Sequence, residues 1–215
     1  MDAIMLLKAD HKTVEQLFRK FEKAGDHALA HKRRLVEQMV RELSVHAAIE
    51  EQVFYPAVRA RAEALSQDVL RALEEHHVMK WVLSELDVLP PESERFDAKV
   101  HVLMESVRAH VTEEEQYLFP EVKKVFKPQE LRQMGEALAQ AKKAAPTHPH
   151  PALPDSPPGN LLTGAVAAVM DMGRDALRTA RRKAETQVRK AARRPLKKPL
   201  ESVASLGRTG ESLPH

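Results

Sequence analysis

Two stretches of this 215-residue chain carry the same polar letters. HAAIEEQVFYPAV begins at His46 and HVTEEEQYLFPEV at His110. In both, the His is followed four residues on by a Glu (Glu50, Glu114), then by a second Glu and a Gln, and ten residues on by a Pro (Pro56, Pro120). On a helix, at about 100° per residue, positions i and i+4 lie roughly 40° apart and one turn apart along the axis. Each His-Glu pair can therefore grip one ligand. The second glutamates, Glu51 and Glu115, fall about 140° away and are expected to face elsewhere.

Two more histidines share this setting. From His11, apolar residues fall at +3, +6, +7 and +10 (Val14, Leu17, Phe18, Phe21), and from His76 the same offsets hold Met79, Val82, Leu83 and Leu86. The match selects His76, and assigns its neighbour His77 to the flank. His11 and His76 are 65 residues apart, His46 and His110 are 64 apart, so the repeating unit is a pair of helices. One inward histidine on an apolar stripe is ordinarily a satisfied core residue; four at symmetric positions, two of them with a glutamate one turn on, point to a metal.

The elements that position these residues follow from apolar period and breakers. A first helix spans about residues 2–24, using Ile4, Leu7, Val14, Leu17, Phe18 and Phe21, and stops at Gly25-Asp26. The second runs from about Ala28 to Arg61 and is kinked or ended by Pro56. A third, from about Leu65 to Leu89, uses Val69, Leu73, Val78, Met79, Val82, Leu83 and Leu86, and Pro90-Pro91 closes it. The fourth starts at the candidate cap Ser93 and reaches the neighbourhood of Phe126, with the same interruption at Pro120. Pro128 opens a short fifth helix ending near Ala145. The expected fold is all-α, an antiparallel, up-down-up-down four-helix bundle over residues 1–145.

Inside such a bundle His11, His46, Glu50, His76, His110 and Glu114 converge. As bare polar groups in an apolar core they are costly, and metal ions would satisfy all six. The chain has no cysteine, so thiolate ligands and disulfides are excluded. Imidazole with carboxylate suits iron, manganese or zinc, and six ligands are too many for one tetrahedral zinc. Two ions bridged by the two carboxylates account for the set.

One His on the first helix, H-x-x-x-E on the second, one His on the third and H-x-x-x-E on the fourth resembles the hemerythrin-like, or HHE cation-binding, family of non-haem di-iron four-helix bundles. The likeness covers residues 1 to about 145. It implies that His11, His46, His76 and His110 are terminal iron ligands and that Glu50 and Glu114 bridge the two irons together with an oxo or hydroxo group. It also implies a small ligand: oxygen, peroxide or nitric oxide. Oxygen carriers of the family use a fifth His four residues after the third-helix ligand, where this chain has Lys80. The four-His set resembles instead the repair-of-iron-centres proteins, whose cysteine-containing domain is absent here, and bacterial members tied to peroxide or nitric oxide chemistry. Glu15, one turn after His11, can replace the missing ligand or accept an imidazole N–H, beside its ordinary reading as an exposed glutamate. Tyr117, seven residues after His110, lies on the ligand face, to gate access or fill the core.

Net charge is +3 but unevenly placed: residues 1–145 carry −3, and residues from 146 onward +6. PTHPHPALPDSPP, residues 146–158, reads as a proline-rich linker holding His148 and His150. Residues 160–194 have helical composition, and 174–198 hold eleven Lys/Arg against two acids. Three readings of this segment stand: contact with nucleic-acid phosphates, adsorption to an anionic membrane surface, or a solvated tail. The last twenty or so residues read as disordered. His101 falls opposite His110, and His27 and His31 near the start of helix two read as solvent-facing. The longest apolar run, Leu161 to Met170, is too short to span a membrane, and the N-terminus lacks a basic signal-peptide region, so a soluble cytoplasmic protein is expected. The functions in view are a redox enzyme that decomposes peroxide or oxidises a substrate, and a sensor or iron store signalling through the tail.

Overall fold

Asp2 starts the first helix. Its carboxylate accepts the Met5 N–H at 2.8 Å, satisfying one of the orphan donors of the first turn, and α1 runs over Ala3–Glu22. The structure is a computed structural model that describes residues 1–153 and 159–192, and every regular element among them is helical. α2 (Leu29–Ile49) passes through a π-helical turn, Glu50–Phe54, into α3 (Tyr55–Arg61); a short 3₁₀ turn, Glu63–Leu65, leads to α4 (Ser66–Val88). α5 (Phe96–Glu113) likewise passes through a π turn, Glu114–Leu118, into α6 (Phe119–Val125), and α7 (Pro128–Ala144) and α8 (Gly159–Ala192) follow.

The two π turns explain the two prolines. A proline has no N–H, and its ring collides with the carbonyl four residues back in a regular helix. Here the turn before each proline is one residue wider: Tyr55 N–H donates to the Glu50 carbonyl and Phe119 N–H to that of Glu114, five residues back. The regular α-helix is thus interrupted before each proline, as expected, by a π turn after which the chain resumes as helix. Ser93 is also not the cap of the fourth helix. It lies in the preceding turn, its carbonyl accepting from Phe96 N–H at 2.9 Å, and Arg95 occupies the cap position.

Each of α1, α2 and α4 places apolar residues on both sides of its histidine, as does α5 together with the π turn and α6 that continue it. One cluster holds Ile4, Leu7, Ile49, Phe54, Val69 and Phe119; the other holds Phe18, Phe21, Met39, Leu83, Leu86 and Leu103. The histidines lie between, so two apolar layers sandwich a polar one. Each fully buried Leu, Ile or Phe contributes about 1.5–3 kcal/mol, which offsets the cost of desolvating the layer between them. Val78, expected in the core, is instead 59% exposed, beside Trp81 at 52%. α7 covers the start of α1, and Gly135 permits the approach: a methyl there would lie 2.5 Å from the Met1 carbonyl oxygen.

The chain divides into two units, Met1–Asp175 and Ala176–His215. The first takes in residues 146–153 and α8 as far as Asp175. There His148 is 3% exposed, its Nδ1 donating to Asp87 at 3.0 Å and its Nε2 to Asp175 at 3.1 Å, while Asp171 accepts the backbone N–H groups of Thr147 and His148 at 2.9 Å. Arg174 lies 3.5 Å from Asp87, and Arg41 3.1 Å from Asp175. Burial alone would lower the His148 pKa, but Asp87, Asp175 and Asp171 outweigh it and raise it. A raised folded-state pKa stabilises fully below the unfolded value of about 6.5 and is lost as pH climbs through the folded value. Hydrogen-exchange protection of the Thr147 and His148 amides is accordingly expected to be higher near pH 6 than near pH 9; protection that rises with pH would refute the pairing.

In the second unit, residues 176–192 continue α8, with Leu177, Arg181, Arg182, Lys183 and Arg189 exposed. The tail expected to be disordered, from Pro195 onward, lies outside the described residues.

Candidate metal centre

His11 comes from α1, His46 from α2, His76 from α4 and His110 from α5, while Glu50 and Glu114 are the first residues of the two π turns. All six are buried, Glu50 completely. The Nε2 atoms of His11 and His46 are 3.2 Å apart, and those of His76 and His110 are 3.1 Å apart. Glu50 Oε2 lies 3.1 Å from His46 Nε2 and 3.5 Å from His76 Nε2; Glu114 Oε2 lies 3.3 Å from His11 Nε2 and 3.6 Å from His110 Nε2. Each carboxylate thus stands between a histidine of one pair and a histidine of the other. Two groups able to hold an ion result, His11-His46-Glu50-Glu114 and Glu50-His76-His110, sharing Glu50.

The outward nitrogens face carboxylates. His11 Nδ1 donates to Glu115 at 2.9 Å, His76 Nδ1 to Glu51 at 3.1 Å and His110 Nδ1 to Glu75 at 2.7 Å, and His46 Nδ1 faces Asp10 at 3.8 Å. Three of these carboxylates are themselves held by lysines: Glu115 by Lys8 at 2.8 Å, Glu51 by Lys80 at 3.0 Å and Asp10 by Lys142 at 2.5 Å. The pattern is two-fold. Asp10 and Glu75 immediately precede His11 and His76 yet serve His46 and His110; Glu51 and Glu115 follow Glu50 and Glu114 yet serve His76 and His11.

This overturns the expectation that Glu51 and Glu115 face elsewhere. Glu51 is only 5% exposed. The expectation assumed 100° per residue, whereas the wider π turn begins at the first glutamate of each doublet and swings the second toward the histidine of a neighbouring helix. The signal was present in the letters: the second Glu of each repeat, and the acid before His11 and before His76, are polar agreements that packing does not require.

Burial, joined by the charges of neighbouring histidines, lowers the pKa of His46 and lowers that of His76 strongly. For His11 burial pulls the same way, but Glu114 and Glu115 outweigh it and raise it. Glu50 is pushed well up by burial and by Glu114, Glu51 and Asp10, whereas His110, His11 and His46 hold Glu114 down against its own desolvation. His76 and His110 each commit Nδ1–H to a carboxylate, which turns the Nε2 lone pair inward, and two such lone pairs 3.1 Å apart repel unless a proton or metal cation lies against them. Among the described residues neither oxygen of Glu50, nor Oε2 of Glu114, accepts a hydrogen bond. Buried acceptors left this way are costly, and the donor set fits hard or borderline metal ions.

Other candidates from the sequence lie outside this cluster. Glu15 accepts from Arg108 and Arg19, so it neither ligates nor orients a histidine. His77 is on the flank, where it accepts from Trp81 Nε1 at 3.3 Å. Tyr117, expected on the ligand face, is 66% exposed, because the π turn rotates it outward. His27, His31 and His101 are exposed as expected. The tyrosine that reaches the centre is Tyr55, which the repeat matches with Phe119. Its buried hydroxyl donates to Glu114 Oε1 at 2.8 Å and lies 3.5 Å from His76 Nε2, and burial with the charges of Glu114 and Glu50 pushes its pKa well up.

Helices converging on buried histidines and carboxylates define a metal-binding helical protein. The chain belongs to the hemerythrin HHE cation-binding domain family, whose model matches residues 2–122. It is similar to an uncharacterized hemerythrin-like protein of Schizosaccharomyces pombe, 30% identical over 167 residues that cover 77% of this chain and 81% of that protein. A protein named DNA nickase from Nostoc is 27% identical over 138 residues, 64% of this chain but 38% of that protein. Among solved structures, a hemerythrin HHE cation-binding domain-containing protein of Mycobacterium kansasii matches with TM-score 0.57 and 26% identity, over 66% of this chain and 86% of that one. Among the described residues no helix is long and apolar enough to cross a membrane.

Proposed function

We propose that α1, α2, α4 and α5 form an antiparallel four-helix bundle that holds two iron ions through His11, His46, Glu50, His76, His110 and Glu114, and that the centre binds or reacts with oxygen, peroxide or nitric oxide. The alternation of the two apolar clusters along successive helices supports the antiparallel order, since each helix meets them in the reverse sequence from the one before. Bound iron would supply redox-active Lewis acids with open coordination positions. The chain does the rest. The four Nε2 atoms and two carboxylates bind, the outer carboxylates fix ring orientation, and Tyr55 keeps its proton on the side of Glu114.

The observation that carries the small-ligand reading is a cavity of about 20 Å³ against the four histidines, walled by hydrocarbon from Val14, Leu43, Met79, Leu83 and Val107. It has room for about one water-sized molecule and none for an organic substrate. Reconstitution with iron is expected to give two irons per chain and ligand-to-metal absorption bands. One metal or fewer per chain, or full metal content when His46 and His110 are both replaced by Ala, would reject the assignment. Catalytic peroxide loss by the loaded protein would mark a redox enzyme, and stable ligand binding without turnover a sensor or store.

A second reading concerns the exposed cations of α8, with the similarity to the protein named DNA nickase as its support. Arg181, Arg182, Lys183 and Arg189 are exposed side chains suited to phosphate groups of nucleic acid, or to an anionic membrane surface. Removing residues 176–215 is expected to abolish salt-sensitive binding to duplex DNA while sparing metal content. Binding to anionic vesicles but not DNA would transfer the role to a membrane, and unchanged binding would end both. A cytoplasmic location fits a chain without cysteine.

A further inference from the structure

Beside the four histidines the cavity is lined by side chains of one apolar layer, Val14, Leu43, Met79, Leu83 and Val107, and a molecule reaching it must cross a wall. One such wall lies between α1 and α5. A surface groove of about 810 Å³ runs there, and it shares four lining residues with the inner cavity: His11, Val14, Val107 and Val111. Val14 and Val107 are each 4% exposed, and Val111 is only partly covered. Three valine side chains, beside the His11 ring, are thus the partition between bulk water and the centre.

Ion pairs on either side hold the partition in place. Lys8 of α1 reaches Glu115 at 2.8 Å, and Arg108 of α5 reaches Glu15 at 3.0 Å and Glu22 at 2.9 Å. Val111 falls between these straps, one turn from Arg108 and one turn from Glu115, opposite His11 and Lys12. The straps set the spacing of the two helices, while the gap between them is filled by hydrocarbon that can move by a rotamer change. A second small pocket touches His110, but its walls include Asp68, Glu75 and Glu113 with Arg71. That route is polar and ion-paired, and opening it breaks charged contacts.

We infer that Val111, with Val14 and Val107, is the doorway through which the small ligand of the centre enters and leaves, and that it passes uncharged molecules of about two heavy atoms. The inference rests on the reading of the centre as a site for such ligands. The valines provide no polar group to replace water around a charged solute, so the doorway selects neutral species such as oxygen, nitric oxide and undissociated peroxide. Access is set by the valines and affinity by the ligating atoms, so the two separate in experiment.

The test is nitric oxide binding to the reduced iron-loaded full chain, followed by stopped-flow absorbance, in wild type, Val111→Ala and Val111→Trp. A larger side chain at the doorway is expected to slow association and dissociation together, by about tenfold or more, and Ala to speed both, with the equilibrium constant held within about twofold. A partly exposed position at a groove tolerates both substitutions, and metal content with thermal melting checks that each variant folds. Equal rates in all three proteins, or a change in affinity with no change in association rate, would overturn the doorway. No nitric oxide binding by wild type carrying two irons would overturn the reading of the centre itself, and the doorway with it.

Discussion

Replacing Glu50 by Met is expected to stabilise the metal-free protein and to destroy metal binding. Both effects come from one atom pair. In the folded chain the Glu50 carboxyl is fully buried, its oxygens accept no hydrogen bond among the described residues, and its pKa is pushed up by burial and by Glu114. An unsatisfied buried polar group costs about 1–3 kcal/mol, and a side chain of similar length that adds only hydrocarbon and sulfur removes that cost. The metal-free variant should therefore melt higher than metal-free wild type. Glu50 is also the group shared by both ion-holding clusters, so iron content should fall from about two per chain toward none, and the melting temperature should no longer respond to iron. A metal-free variant less stable than wild type, or one that keeps two irons, would remove Glu50 from the bridging position.

Glu51→Ala and Glu115→Ala are expected to weaken metal binding alike and to differ sharply in stability. Each carboxylate holds the Nδ1–H of one histidine, and loss of such an orienting partner typically lowers metal affinity by about 10- to 100-fold. The stability arguments diverge because of burial. Glu51 lies with Lys80, itself 8% exposed, and removing it takes from that ammonium the carboxylate it contacts at 3.0 Å through both oxygens, a change of about 3 kcal/mol or more. Glu115 meets Lys8 where their side chains are 30% and 42% exposed, so water replaces the lost partner and the cost stays within about 1 kcal/mol. Denaturant titration of the metal-free proteins, with iron affinity by competition against a chelator, measures both. Equal stability losses would mean that Lys80 is as well solvated as Lys8.

Between them these substitutions separate what the six inward groups do from what the outer shell does. The inward Glu50 answers to metal content and, in the metal-free protein, to a gain in stability; the outer carboxylates answer to affinity and, on one side only, to a loss of stability. The asymmetry is notable because the repeat is otherwise close: Lys80 in the interior of α4 and Lys8 at the surface of α1 hold equivalent carboxylates, and Tyr55 and Phe119 occupy equivalent positions with and without a hydroxyl. The two halves of the centre are built to the same plan with different access to water and protons.

By itself the sequence determined the all-helical class, the positions of the helices to within a few residues, and the six inward residues. It did so because a regular helix has a fixed angular period, so a His, its i+4 Glu and the apolar stripe around them announce a common face without reference to any other part of the chain. It also placed Gly25, Pro90-Pro91 and Pro128 at helix boundaries for local reasons. What it misplaced depends on departures from that period. The π turns at Glu50 and Glu114 shift every later residue, turning Glu51 and Glu115 toward histidines of other helices, Tyr55 toward Glu114 and Tyr117 into solvent. Other decisions were tertiary altogether. Asp10 faces His46 across a helix pair, Arg108 straps α5 to α1, and His148, assigned to a linker, is buried among Asp87, Asp171 and Asp175. A hydrogen bond between groups 23 to 134 residues apart leaves no periodic trace, because its partners are chosen by which surfaces the apolar layers bring together.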